Sequence, residues 1–301
     1  MIKKFLADIL IDPLTGQHLQ LTDQLHMNNP DASVNYHVTD DVPVILIKDS
    51  GPALSALHEK YQSSFNYKEH YDNDAEFFDY FEPDEFYATK EERRRSRQAL
   101  MSKIPGGAGL VLDVGCGGAW VAEHLTPKGI KVISMDISHR NPVEALKRFP
   151  GENHAALVAD VFNLPLQDNS LDVIIASEII EHVYDPKLFL TALLKKLKPE
   201  GTLLLVTPYN EKLTYHLCIH CNRPTPANAH LHTLNEKTLP GFLPDEPVVL
   251  STMHFSNKVL TKARIYSLFK FLPFKLWLWG DRLACKILGS ASAFLITVIK
   301  K

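Results

Sequence analysis

Cysteine is scarce: there are four in 301 residues, at positions 116, 218, 221 and 285. That number, with one cysteine inside a glycine turn, does not suggest a disulfide framework and points to a reducing cytoplasm. No apolar run reaches the roughly 20 residues that a membrane-spanning helix needs. Met1-Ile2-Lys3-Lys4 begins like a secretion signal, but Asp8 breaks the apolar stretch and no small-residue cleavage site follows. Charge of neither sign dominates. The net charge of -3 creates no global field for nucleic acid, so no nucleic-acid partner is expected. The basic run Lys90 to Arg97, five basic residues with two glutamates, has the composition of a solvated helix face. The length suits one large domain with a smaller one.

What the chain does contain is a series of apolar strands that each end on an acid. Val111-Leu112-Asp113-Val114 runs into Gly115-Cys116-Gly117-Gly118 and then into a segment of helical spacing, Ala119 to Leu125. Glycine at such a turn lets the backbone approach a ligand closely, and strand, turn and helix N-terminus together make a nucleotide-type pocket. A dinucleotide site would place a third glycine at position 120, where this chain has Trp120. It would also set a pyrophosphate beside Asp113, which repels it. An NAD-dependent enzyme is therefore the weaker reading, and a cationic ligand such as S-adenosylmethionine suits the turn better. Lys131 to Asp136 is a second strand ending on an acid, at the spacing where a carboxylate meets both ribose hydroxyls. Leu157 to Val161 carries Asp160, and Leu171 to Ala176 leads into Ser177. A single strand-end aspartate is commonly a cap or turn residue. Three on one edge of a parallel sheet point to a ligand, because ligands of open α/β sheets bind there.

The D-x-G-x-G of Asp113, Gly115 and Gly117 resembles motif I of the class I S-adenosylmethionine-dependent methyltransferases, with Ala119 in place of the third glycine of the fuller form. Ser177-Glu178-Ile179-Ile180-Glu181-His182-Val183 resembles the motif after strand four in quinone-biosynthesis-type methyltransferases. Lys198-Pro199-Glu200-Gly201-Thr202 resembles the superfamily's turn into strand five. The resemblance covers roughly residues 105–300. It implies an α/β, Rossmann-like, seven-stranded, mostly parallel sheet with flanking helices, the last strand antiparallel and supplied by Ala291–Ile299. It implies that Asp113, Gly115, Cys116, Gly117, Asp136, Ile137, Asp160, Val161 and Ser177 bind the cofactor, with Asp160 and Val161 at the adenine ring and Tyr71 at the methionine end. Tyr71 belongs to an aromatic-rich linker and lid over 51–104, whose aromatics either cover the cofactor or simply pack.

Residues 1–50 form a small β-rich unit, with strand candidates at Leu19–Leu21, Val34–Val38 and Val42–Leu46. Ile11 to Gly16 and Tyr36 to Leu46 resemble the small zinc-ribbon-like activator subunit of tRNA and protein methyltransferases. The activator's C-P-x-C is replaced here by Asp12, Pro13, Leu14 and Thr15, so zinc is not expected in this unit. The unit is either a folding module or a protein-docking surface.

The methyltransferase domain, 105–301, carries an insertion at 211–233. There Cys218 and Cys221 have C-x-x-C spacing, and His230 and His232 can complete a four-ligand zinc site. The alternative is two reduced thiols with His232 at the start of the next helix. Apolar, aromatic 268–288, with Trp277 and Trp279, either touches a membrane peripherally or packs on the sheet. Ile287 to Ile299 is expected to be a buried strand.

Glu178 and His182 are the catalytic candidates, since a histidine at the end of strand four can take a proton from a phenol-type hydroxyl. The alternative is that His182 packs within a helix and Glu178 is a capping or supporting residue. No [D/N]-P-P-[Y/F] follows strand four, as amino-directed base methyltransferases have, and no cysteine sits where carbon-5 pyrimidine enzymes need a nucleophile. The expected acceptor is an O, C or N atom on a small molecule, lipid or glycan precursor. The rival of a different class is a catalytically inactive methyltransferase-fold partner, with 1–50 as its docking module.

Overall fold

The computed structural model describes residues 1–47, 66–82, 87–219, 222–265, 271–288 and 292–301. Phe65, Phe86 and Cys221 therefore lie outside the described residues. The chain opens with the short helix α1 (Lys4–Ala7) and four strands: β1 (Gln20–Leu21), β2 (His26–Asn28), β3 (Asn35–Thr39) and β4 (Val42–Ile45). Helices α2 (Tyr67–Phe77) and α3 (Tyr87–Met101) follow. The alternating part comes next: β5 (Leu110–Val114), α4 (Trp120–Leu125), β6 (Lys131–Asp136), α5 (Arg140–Arg148), β7 (His154–Ala159), β8 (Leu171–Ser177), α6 (Pro186–Lys196) and β9 (Leu197–Pro208). The hairpin β10 (Tyr215–Leu217) and β11 (Pro224–Pro226) falls in the insertion. Then come β12 (Val249–Asn257), α7 (Lys258–Lys262), α8 (Phe274–Leu288) and β13 (Ser292–Lys300).

The main sheet runs β1-β2-β3-β4-β7-β6-β5-β8-β9-β13-β12. Strands β5 to β9 pair in parallel, and β13 lies antiparallel between β9 and β12. Seven strands thus follow the expected plan, with Ser292–Lys300 as the antiparallel one. Ile287 still belongs to α8. The central strands are almost wholly buried, because helices cover both faces of a parallel sheet and leave neither face for polar residues.

The N-terminal strands are continuous with this sheet. β4 pairs in parallel with β7, Val44 opposite Val158 and Ile45 opposite Ala159. Ile11 N–H donates to the Pro165 carbonyl at 3.0 Å, and Gln167 N–H to that of Ile9 at 2.8 Å. Leu6, Leu10, Leu19, Met27, Val38 and Ile45 share one apolar core with Leu157, Leu164 and Leu166. The edge of β7 is therefore closed by the chain's own N-terminus. Within this unit the Thr15 hydroxyl donates to Asp12 Oδ2 at 2.6 Å and Tyr36 OH donates to Asp12 Oδ1 at 2.7 Å. Burial would raise Asp12, but these donors outweigh it and hold the carboxyl below its ordinary value. These hydrogen bonds close the turn at residues 12–15 without a metal-binding side chain other than Asp12.

The run Lys90–Arg97 differs from the solvated face its composition suggests. Glu91 and Arg95 are buried, Arg95 Nε donates to Glu91 Oε1 at 2.8 Å, and the Arg95 guanidinium lies 5.3 Å from the Trp277 ring centre. Trp277 in turn packs on Phe255, so α8 is held to β12. The outer side of α8 keeps Leu276, Trp279, Leu283 and Ile287 exposed. No helix among the described residues is long and apolar enough to cross a membrane.

Candidate active site

The carboxyl ends of β5, β6, β7 and β8 converge on one edge of the sheet. The glycine turn follows β5. Gly115 has φ 66°, and a Cβ there would lie 2.2 Å from Ile179 Cδ1; a Cβ on Gly118 would lie 2.4 Å from the Tyr80 carbonyl oxygen. The glycines thus admit close packing of the segment after β8 and of the lid, as well as of a ligand. Cys116 is buried and its amide donates to the Met135 carbonyl at 2.9 Å; burial pushes its thiol well up, so it stays a neutral packing group.

Asp113 is 2% exposed, and its Oδ2 has no hydrogen-bond partner. Burial, reinforced by nearby Asp136, raises its carboxyl well above the usual range. Such an acid invites a cationic group. Asp136 accepts from the Ser138 amide at 3.0 Å and from the Gly117 amide and Asn141 Nδ2 at 3.2 Å each, which ties the turn to β6 and α5. Ile137, next along, is half-buried. Asp160 accepts from the Phe162 amide at 3.1 Å and from Tyr67 OH, with Lys68 Nζ 3.5 Å away. Tyr67 also meets the Phe162 and Tyr184 rings, which stack with centres 4.2 Å apart. Val161 is half-buried beside this group. Helix α2 is fastened across this edge by Arg140 donating to the Ala75 carbonyl at 2.6 Å and by Asp72 on His139 at 3.0 Å.

Ser177 closes β8, and the next residues turn instead of forming a helix. Glu178 has φ 58° and is exposed. The acid buried beside His182 is Glu181, which sequence reasoning passed over although it stands at the adjacent position. Its Oε2 accepts from the Thr207 hydroxyl at 3.1 Å. Burial, with the Glu178 carboxylate adding to it, pushes Glu181 up to about 8. Burial, then His230, pushes His182 down to about 4, so the imidazole is neutral near pH 7 and a weaker base than an ordinary histidine. The Tyr71 ring lies edge-on to His182 with centres 5.9 Å apart, and its hydroxyl is buried without a partner. Burial raises that hydroxyl above its ordinary value.

The insertion reaches this point by a backbone bond, the Leu231 amide to the Glu181 carbonyl at 2.7 Å. His230 and His182 then lie with ring centres 4.7 Å apart, and His230 Nδ1 bonds Glu211. His232 starts no helix; its Nε2 bonds the Val183 carbonyl at 2.8 Å. Cys218 sits at the hairpin tip, where its amide donates to the Arg223 carbonyl at 2.9 Å. Of the proposed zinc ligands, Cys218, His230 and His232 form no common group of metal-capable side chains among the described residues, and Cys221 lies outside them. The one group of three metal-capable side chains found there is Glu181, His182 and His230.

This sheet order, an antiparallel strand inside the edge and an acid-glycine turn with carboxylates on the next two strands define an adenosyl-cofactor α/β domain. Residues 112–205 match the family model described as a methyltransferase domain. The ubiquinone biosynthesis O-methyltransferase of Rickettsia bellii is 34% identical over 112 residues, 36% of this chain and 46% of its own length. That of Cereibacter sphaeroides (strain ATCC 17029 / ATH 2.4.9) is 32% identical over 127 residues, 40% of this chain and 50% of its own. The chain thus spans about half the length of the curated relatives it matches. Among solved structures, the [4+2]-cyclase SpnF has a TM-score of 0.51 at 16% identity, over 74% of this chain and 85% of its own. Haemonchus contortus phosphoethanolamine N-methyltransferase 2, in complex with S-adenosyl-L-methionine, has a TM-score of 0.50 at 15% identity, over 86% of this chain and 61% of its own. At these identities the structures speak for the fold alone. Residues 112–205 are thus similar to a methyltransferase domain, and the surrounding sheet and helices share the fold of such proteins.

The residues fit S-adenosylmethionine. Asp113 offers an unpartnered buried carboxyl oxygen to a cation, and the Asp136 carboxylate lies against the glycine turn, where the ribose of such a cofactor would meet it.

Proposed function

We propose that this protein transfers a methyl group from S-adenosylmethionine to a hydroxyl of a small, phenol-like acceptor. The observation that carries this reading is the polar group at the end of β8. Tyr71 OH, Glu181 Oε1 and His182 Nδ1 are all buried without partners beside the cofactor turn. Buried polar atoms cost free energy when unsatisfied, so a site that keeps three of them suits an acceptor that brings its own hydroxyls. The ubiquinone O-methyltransferases that share the domain act, by name, on oxygen.

Bound S-adenosylmethionine supplies an electrophilic methyl on a sulfonium that leaves as a neutral thioether. The chain's part is to hold the reactants in line and keep water out. Asp136 and the turn from Gly115 to Gly118 fix the adenosine end. Tyr71 and the 178–184 turn define the acceptor side. Lid helix α2, pinned by Arg140, closes over both. Residues 1–47 serve in this reading as a built-in support that holds β7, and hence Asp160, in register.

The test is a transfer assay with methyl-labelled S-adenosylmethionine against a panel of phenols, catechols, amines and carboxylates. Label in the phenol or catechol products supports the proposal. Label confined to amines or carboxylates would overturn it.

A further inference from the structure

The group at the end of β8 is built from behind as well as in front. Glu181 is 1% exposed; the Thr207 hydroxyl holds its Oε2, and its Oε1 has no partner. His182 Nδ1 is buried and unpartnered, while the ring's other nitrogen faces the Ala229 backbone. His230 spends Nδ1 on Glu211, which leaves Nε2. One ligand atom from each of Glu181, His182 and His230 lies within 4.8 Å of the other two. An outer partner on each side chain, fixing its orientation while one lone pair stays free, is the arrangement that supports metal ligands.

We infer that Glu181, His182 and His230 form a site for one divalent first-row transition ion of the zinc type. Two imidazoles and one carboxylate suit zinc, iron(II), cobalt(II) or manganese(II), and they are a poor set for magnesium, which demands oxygen ligands. Three protein ligands leave at least one coordination position open, and Tyr71 lies edge-on to the His182 ring beside the group. The site takes only His230 from the Cys218, Cys221, His230 and His232 set, because His232 Nε2 is used on the Val183 carbonyl. The ion's role rests on the acceptor reading above: Tyr71 OH would meet the acceptor directly, and Glu181 Oε1 and His182 Nδ1 would meet its hydroxyl through the ion. A divalent charge beside an acceptor hydroxyl lowers that hydroxyl's pKa. Its proton then leaves to solvent, and the oxygen is ready to form the new O–C bond as the S–C bond breaks.

The full-length protein, stripped with chelator, is titrated with Zn²⁺ by calorimetry and with Co²⁺ by visible absorption. The expected result is one ion per chain and no Mg²⁺ uptake. Loss of an outer partner typically costs 10- to 100-fold in metal affinity, so Glu211→Ala should weaken binding by about that factor and His230→Ala by about 100-fold or more. The paired Cys218→Ser and Cys221→Ser substitutions should leave binding unchanged. S-adenosylhomocysteine binding by His230→Ala reports that the variant is folded. No saturable Zn²⁺ or Co²⁺ binding would overturn the inference, as would binding that is lost with the cysteines and kept in His230→Ala. Failure of the methyltransferase reading would show separately, as metal binding without S-adenosylhomocysteine binding.

Discussion

Replacing Asp136 tests the cofactor assignment at its most loaded residue. The carboxylate accepts from the Gly117 amide, the Ser138 amide and Asn141 Nδ2, and Ser138 and Asn141 are buried. Asp136→Ala leaves these three donors without an acceptor. At about 1 kcal/mol for each of the two buried donors, the low end for an unsatisfied buried group, stability should fall by about 2 kcal/mol. In the complex the same side chain would also accept two ribose hydroxyls. Hydrogen bonds to a charged group contribute about 1.5–3 kcal/mol each, so the two lost together amount to about 3–6 kcal/mol. At 1.4 kcal/mol per factor of ten, that is roughly a 10²- to 10⁴-fold loss of affinity. Asp136→Asn keeps one acceptor oxygen and should lose less of both. Calorimetry with S-adenosylhomocysteine, paired with urea unfolding of each variant, separates the two effects. A folded Asp136→Ala protein with wild-type affinity would refute the placement of ribose at β6.

Three further outcomes follow from the packing. Gly118→Ala puts a Cβ 2.4 Å from the Tyr80 carbonyl oxygen, so the lid must move; thermal unfolding should show a loss of about 1–3 kcal/mol, and an unchanged melting temperature would mean the lid does not rest there. His154 is buried between Ser134 Oγ and the Phe149 carbonyl, and burial lowers its pKa below the ordinary 6.5. The unfolded chain therefore takes up that proton first. His154's contribution is full above pH 6.5 and is lost as pH falls below it; urea unfolding between pH 7.5 and 5.5 should show a slope that His154→Asn reduces. Leu10 is completely buried in the core shared with β7, so Leu10→Ala should cost about 2–5 kcal/mol. Calorimetry should show one cooperative transition moving down, and a separate early transition would mean that residues 1–45 fold on their own.

The strand-and-acid plan of residues 105–208 is legible in the sequence because buried parallel strands need unbroken apolar runs, and Asp136 and Asp160 stand out where those runs end. Helix α4 likewise follows from the spacing of Ala119 to Leu125, and Asp185 caps α6 through the Leu188 amide. The joining of β4 to β7 is not legible, since a two-pair parallel contact leaves no periodic trace at either partner. Nor is the burial of Glu91 and Arg95. A charged run on a helix looks solvated until the tryptophan nearly two hundred residues later covers it. That Glu181 and not Glu178 is the buried acid is not legible either, since Glu178 has a positive φ of 58° in a turn after β8 that carries no sequence period. His230 meets His182 through one backbone bond across a 49-residue gap between Leu231 and Glu181, in fact a contact of the insertion with the turn after β8 that spacing alone does not encode.

The most direct test of the account is a crystal structure of the protein with S-adenosylhomocysteine. The account predicts the ribose on Asp136, the amino group toward Asp113, and the sulfur facing Tyr71, His182 and His230. A ligand whose sulfur points away from that group, or that binds elsewhere on the chain, would contradict it.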